Sequence, residues 1–442
     1  MDNLAAPKVQ FLQRQAASLL LYQSVLQGEV GNAFLDLLQS IRYTEADGRN
    51  CLEAYGTFFQ SLALRNQNWE EYLITQILRT ENPFSRHCQK CKFANLPVAL
   101  ISALKHDLQA LQHLYECSSA TLSIWVQTVA HLATSPVVWY VEQDGVNRPH
   151  ELAMVEKFQQ TEDWTEVIED LAVFYQQYGS GLFAEYTAIR WQNGEFIGVP
   201  HPDTVELEQL VGYETQKATL LKNTEFLLSG QPALHVLLYG SRGTGKSSLV
   251  KALLNKYGDR NLRLVEVTKS ELRNLPAIVE RLRDTPQKFI IFVDDLSFEE
   301  DDDAFKALKV VLEGNITARP QNVVVYATSN RRHLIREFFS DRPAPKDREE
   351  VHPWDTMQEK LSFSDRFGLT LTFEPADQPK YLEIIHHLAA IAQIPLSRED
   401  LEYQALQWAT RHNGRSGRTA RQFIDFFQAD LTFTSDTKAT IK

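Results

Sequence analysis

The stretch Leu237-Leu238-Tyr239-Gly240-Ser241-Arg242-Gly243-Thr244-Gly245-Lys246-Ser247-Ser248 decides how this chain is read. From Gly240 to Ser247 it fits G-x-x-x-x-G-K-[ST] at every defined position. An apolar run over residues 233–239 leads in, and a helical pattern over residues 248–254 leads out. Strand, glycine-rich loop and helix in that order make a phosphate-binding loop. Its glycines let backbone N–H groups turn inward and approach phosphates closely. The start of the next helix adds partial positive charge at the same place. Within the motif Lys246 reaches toward β- and γ-phosphates, and Ser247 offers a hydroxyl to Mg²⁺. Ser241, Arg242, Thr244 and Ser248 complete the cradle.

Outward from this loop, strand-like and helix-like runs alternate. That argues for an α/β domain with a mostly parallel, five-stranded sheet. The strands are expected at residues 234–239, 262–267, 289–293, 323–327 and 369–373, with helices at 270–283 and 304–313. Their continuous apolar character suits strands covered on both faces. The run 289–293 ends in Asp294-Asp295. At the C-terminal edge of a parallel sheet such an end faces the nucleotide crevice. Asp294 is then the carboxylate for Mg²⁺ beside Ser247, and Asp295 the group that polarises the attacking water. The bland alternative is a pair of Asp residues capping a loop. The next buried strand ends in Thr328-Ser329-Asn330. Asn330 is read as orienting that water, although in isolation it would be a turn residue.

These motifs, with Leu361-Ser362-Phe363-Ser364-Asp365-Arg366-Phe367-Gly368 and Ser416-Gly417-Arg418, resemble the ordered set of an AAA+ ATPase. Asp294-Asp295-Leu296-Ser297-Phe298-Glu299 and Ala327-Thr328-Ser329-Asn330-Arg331-Arg332-His333-Leu334 further resemble an uncharacterised bacterial family. That family is known only as predicted AAA+ ATP-binding proteins of unknown function. The resemblance covers residues 205–430. It implies ATP and Mg²⁺ as ligands, ATP hydrolysis, and a homo-oligomeric ring, of six subunits. It implies that the segment Leu210-Val211-Gly212-Tyr213 lies against adenine, with Val211 and Gly212 at its centre. Arg366 would be an arginine finger on a neighbour's γ-phosphate, and Arg418 the sensor 2 residue of a helical lid. Arg421 competes for that last role, three residues on. A surface salt bridge is the plain alternative for Arg366. One departure stands out: most AAA+ ATPases have Glu where this chain has Asp295, so turnover is expected to differ before binding does.

Residues 1–203 read as a mainly helical domain, with a short hairpin at 187–199 signalled by Asn193-Gly194. Residues 204–375 form the nucleotide-binding part, 376–432 a helical lid and 433–442 a flexible tail. Apolar stripes at helical spacing run through the N-terminal part, such as Tyr55, Phe58 and Leu62, or Leu104, Leu108 and Leu111. They are core packing rather than a cofactor box. This domain is the expected docking site for a protein partner.

Composition bounds the rest. The 442 residues are 43% hydrophobic and 23% charged, as in an ordinary globular protein. A formal charge of −12 disfavours a nucleic-acid partner, although the segment around Arg366 also resembles replication initiators. No run of 18 apolar residues predicts a membrane span, and the N-terminus lacks a signal-peptide pattern. Four cysteines in this length fit a reducing, cytoplasmic setting. Cys88, Cys91, His113 and Cys117 make a conceivable zinc set, but free thiols are the expected reading. The function expected is an ATP-driven remodeller or loader of a macromolecule. The alternatives are a slow-turnover switch and a nucleic-acid-associated AAA+ protein.

Overall fold

The structure, a computed structural model, describes residues 5–141, 148–297, 303–313, 319–330, 366–412 and 414–440. Two compact units divide the chain, Met1–Glu185 and Tyr186–Lys442. The first is helical. Its longer helices are α1 (Ala5–Ala17), α2 (Glu29–Arg42), α3 (Arg49–Arg65), α4 (Trp69–Arg79) and α5 (Pro83–Cys88). After them come α6 (Val98–Glu116), α7 (Ser119–Val129), α8 (Pro149–Gln160), α9 (Ile168–Tyr178) and α10 (Leu182–Glu185). Local chemistry starts several of them. Asn68 caps α4 by accepting from the Glu71 amide, and Asn82 with Ser85 forms a capping box at α5, where Pro83 is the first helical residue. The stripes read from sequence face inward: Tyr55, Phe58 and Leu62 are buried, as are Leu104, Leu108 and Leu111. At the centre Phe34 stacks on Trp69 with ring centroids 3.9 Å apart, and the Trp69 indole N–H donates to Leu114 O.

The buried carboxylates Glu151 and Asp107 of this unit are held by fixed partners. Arg79 grips Glu151 with two bonds of 2.8 Å, and Glu151 is 2% exposed. The carboxylate of buried Asp107 accepts the amides of Leu20, Leu21 and Tyr22. The cysteines Cys51, Cys88 and Cys117 are buried, and burial pushes the Cys88 and Cys117 thiols up to about 12. Cys91 donates to His87 O, while His113 sits 3.6 Å from Glu116. Among the described residues no His, Cys, Asp and Glu side chains gather as a metal-binding group.

The second unit opens with the hairpin β1 (Ala188–Gln192) and β2 (Glu195–Gly198). Asn193 and Gly194 both have positive φ, 53° and 85°, as a tight primed turn requires. This hairpin does not stay with the helical domain. Strand β1 pairs in parallel with β4 (Leu262–Glu266), so the division falls at Glu185 rather than near 203. The remaining strands are β3 (Val236–Gly240), β5 (Lys288–Val293), β6 (Val323–Ser329) and β7 (Leu369–Phe373). The sheet order is β2-β1-β4-β5-β6-β3-β7. The five expected strands and β1 make its parallel part, and β2, antiparallel to β1, brings the sheet to seven. Every residue of β6 is buried, as is all of β5 after Lys288. That is the signature of strands with both faces covered.

Helices α11 (Glu214–Leu228), α12 (Lys246–Tyr257), α13 (Leu275–Leu282) and α14 (Asp303–Glu313) flank the sheet. The helix expected over 270–283 is split. Residues Lys269–Asn274 wind as a 3₁₀ helix, and α13 begins at Leu275 with Pro276 in its first turn. A separate core holds the lid helices α15 (Gln378–Ile391), α16 (Arg398–Arg411) and α17 (Gly417–Thr440) around Tyr381, Ile385, Ala405 and Phe423. Helix α17 runs on through the stretch expected to be a flexible tail from 433. The fold class read from the phosphate-binding loop is found in its architecture: an α/β unit with a mostly parallel sheet, a P-loop and a helical lid core, preceded in the chain by a helical unit.

Candidate functional site

Strand order places the chemistry. Strands β5, β6 and β3 lie side by side, although β4 and β5 come between β3 and β6 in sequence. Their C-terminal ends are therefore neighbours, at a point where the direction of winding switches. Those ends carry Asp294-Asp295, Asn330 and the loop from Gly240. Gly240 has φ 145°, and a Cβ there would lie 1.9 Å from Phe373 O on the adjacent strand. Only glycine fits. Gly243 has φ 76°, and a Cβ on it would meet Ser416 Oγ at 2.8 Å. The loop is thus pressed between the sheet edge and the start of α17.

Helix α12 starts at Lys246, and its first backbone bond is Leu249 N–H to Gly245 O. The amides of Lys246, Ser247 and Ser248 have no partner within the helix, which is the arrangement that receives an anion. The Lys246 ammonium donates to Gly240 O at 2.9 Å and to Ser241 O at 2.7 Å. It also lies 3.4 Å from Asn330 Oδ1. Burial pushes it below the ordinary lysine value, Asp294 and Asp295 pull it back up, and Arg418 adds to the lowering.

Two carboxylates follow β5. Asp294 Oδ1 accepts from Ser247 Oγ at 2.6 Å and from Thr328 Oγ1 at 2.5 Å. Asp295 accepts from Asn330 Nδ2 at 2.7 Å, and its amide donates to Thr328 Oγ1. Its φ is 51°, in the left-handed region, which Asp tolerates better than most residues. Thr328 therefore ties the Asp294 carboxylate to the backbone of Asp295. It was quoted in the strand but given no role from sequence.

A cleft of about 850 Å³ opens over these groups. Arg242, Gly243, Thr244, Gly245, Lys246, Ser247 and Ser248 line it, with Asp294, Asp295 and Asn330 opposite. Val211, Arg418 and Arg421 line it as well. Gly212 is not among the lining residues; its φ is 93°, and a Cβ there would lie 2.8 Å from Lys380 Cε. Arg418 donates its backbone N–H to Gly243 O, while Arg421 donates from Nη2 to Gln209 Oε1. Leu210 and Tyr213, from the segment that the resemblance sets against adenine, line it too, while Gln209 is a lining residue that sequence reading passed over.

Arg366 stands elsewhere. It is not among the residues lining the cleft, and its Nε pairs with Glu313 at the end of α14. Residues 361–365 of the same segment lie outside the described residues, as do 298–302 and 331–334. Hydroxyl and carboxylate at Ser247 and Asp294 form a hard-oxygen pair of the kind Mg²⁺ takes, so the residues fit that ion. Among the described residues no helix is long and apolar enough to cross a membrane.

No curated protein matches the chain. Among solved structures it is similar to RuvB, the Holliday junction branch migration motor of Thermotoga maritima. The identity is 18% and the TM-score 0.36, over 52% of this chain and 66% of that one. A mutant of the same RuvB matches at 18% and 0.36, over 52% and 67%. Another matches at 14% and 0.30, over 50% and 72%. The chain thus spans just under two thirds of the first RuvB chain's length. The model of the family described as "Protein of unknown function (DUF815)" matches residues 184–431, more than half of the chain, and the chain belongs to that family.

Proposed function

We propose that this protein binds ATP with Mg²⁺ in the cleft and hydrolyses it, as an oligomer that remodels or loads a macromolecular partner. The observation that carries the reading is the linked set Ser247–Asp294–Thr328–Asp295–Asn330–Lys246 at three adjacent strand ends. Lys246 now holds two carbonyls of its own loop, bonds that a phosphate oxygen can replace. The unpaired amides at the start of α12 hold the remaining phosphate charge. Ser247 and Asp294 would hold the Mg²⁺, which supplies charge neutralisation at the phosphates. Asp295 orients and polarises the attacking water, with Asn330 fixing the carboxylate that does so. Arg418 reaches the phosphates from the lid. Arg366 serves the neighbouring subunit's nucleotide, which makes turnover depend on assembly. The helical unit holds the partner.

The test is Lys246→Ala. ATP binding by calorimetry should weaken strongly and turnover should fall by about 10²-fold or more, the scale of losing one preorganised charge-stabilising donor. Equal affinity and turnover in the variant would sink the assignment.

A second reading has its own support. Asp295 is shorter than Glu and is already bonded to Asn330. A nucleotide-dependent switch with slow turnover then fits as well as a motor. Single-turnover rates against ATP affinity separate the two.

A further inference from the structure

The segment Glu208 to Tyr213, which begins inside the 3₁₀ turn Leu207–Gln209 and ends at the start of α11, touches the lid at three points. The His387 ring Nε2 lies 2.5 Å from Glu208 O. Arg421 Nη2 donates to Gln209 Oε1 at 2.7 Å. The Lys380 ammonium sits 3.7 Å above the Tyr213 ring, a cation–π contact. The three lid residues come from α15 and α17. The same segment lines the cleft through Gln209, Leu210, Val211 and Tyr213, and the lid's Ile384 and Leu388 line it too. This half of the cleft is therefore largely apolar, with Gln209, Lys217, Arg421 and Gln422 as its polar groups. Such a surface suits a flat heteroaromatic ring, whereas the other half is the phosphate loop.

Arg418 and Arg421, three apart on α17, share a helix face. Their contacts nevertheless separate them. Arg418 is tied by its backbone to Gly243 in the phosphate loop. Arg421 is tied by its side chain to Gln209 on the other side. We propose that Gln209 is a positioning residue that acts through Arg421 to close the lid on the base side of the cleft. Arg421 then responds to the purine base and Arg418 to the phosphates. This rests on the ATP-binding reading above and deepens it.

The experiment compares two probes on the full chain, Mg·ATP and inorganic triphosphate with Mg²⁺, by calorimetry. Gln209→Ala and Arg421→Ala should each weaken ATP by about tenfold, the scale of one hydrogen bond to a charged group, and leave triphosphate within about twofold. The double variant Gln209→Ala/Arg421→Ala should be no weaker than either single one, because the two act as a unit. Gln209→Glu keeps an acceptor for Arg421 and should bind ATP within about twofold of the wild type. Arg418→Ala should weaken both probes together. An equal loss of triphosphate in Arg421→Ala, or additive losses in the double variant, overturns the proposal. So does failure of the wild type to take triphosphate, since the two sides of the cleft would then not act separately. If the wild type binds ATP and Gln209→Ala changes nothing, the ATP reading stands and this one falls. If the wild type binds neither probe, both fall.

Discussion

In the helical unit, Glu151 receives two bonds from Arg79 and one from the Arg148 amide. In the sheet unit, Lys246 rests on two carbonyls of its own loop, at the mouth of a cleft. Both are charged groups with little exposure, 2% for Glu151 and 6% for Lys246. They differ in what their partners can give up. Arg79 and Glu151 come from distant helices, and separating them strands a charge in the interior. The carbonyls under Lys246 can exchange for phosphate oxygens without a loss of bonds. Saturation by fixed partners marks a structural charge, and replaceable partners mark a charge awaiting a ligand.

The comparison can be broken first at Arg366. If its guanidinium completes a neighbour's site, Arg366→Ala should lower turnover per subunit by about 10³–10⁵-fold while ATP binding persists. Mixing Arg366→Ala with Lys246→Ala subunits should restore part of the activity, because some interfaces then hold one intact loop and one intact finger. No recovery in oligomers shown to be mixed would leave Arg366 as the structural partner of Glu313.

Asp295→Asn comes next. It keeps the shape and the left-handed backbone but removes the charge that polarises water. Turnover should fall by about 10²–10³-fold with ATP affinity retained, within the usual range for a general base. An unchanged rate would place the base elsewhere.

On the saturated side, Glu151→Gln leaves Arg79 without its counter-charge. The helical unit should lose about 3 kcal/mol, seen as faster hydrogen exchange in α4 and α8, with ATP affinity unchanged. A matching drop in ATP affinity would blur the distinction drawn between the two units.

The smallest effect is a pH dependence. Burial alone would raise the Glu151 carboxyl, but the Arg79 bond and charge and the Arg148 amide outweigh it and hold the group below the ordinary carboxylate value. Its folded value is therefore lower than its unfolded one. The stabilisation is complete above about pH 4.3 and is lost as pH falls through the lowered folded value. Exchange protection in α4 and α8 should drop there in the wild type and show less dependence on pH in Glu151→Gln.

The two units were also unequally legible. The phosphate loop is contiguous, so its spacing carried its chemistry, and the strands before Asp294 and Asn330 were found within two residues of their ends. Thr328 and Gln209 were missed because each acquires its role across the fold. Thr328 meets Asp294 34 residues away, and Gln209 meets Arg421 after 212. The hairpin at Asn193-Gly194 was read correctly, yet its home was not, since pairing of Ile189 with Val265 leaves no local trace. In the helical unit the apolar stripes were plain. The pairing of Arg79 with Glu151 was not, because opposite charges 72 residues apart carry no periodic signal.

The left-handed backbone at Asp295 has a consequence for which substitutions this position accepts. With φ at 51°, the position favours residues whose short polar side chains suit that conformation, chiefly Asn and Asp. Most other side chains with a Cβ lose about 1–2 kcal/mol there. Glu at this position, longer and less suited to the left-handed region, would not be free of cost. The turn itself must be rebuilt, together with the Thr328 hydroxyl that receives its amide. Residue and backbone conformation are thus coupled here, and the substitutions that leave the turn intact are those the left-handed region tolerates.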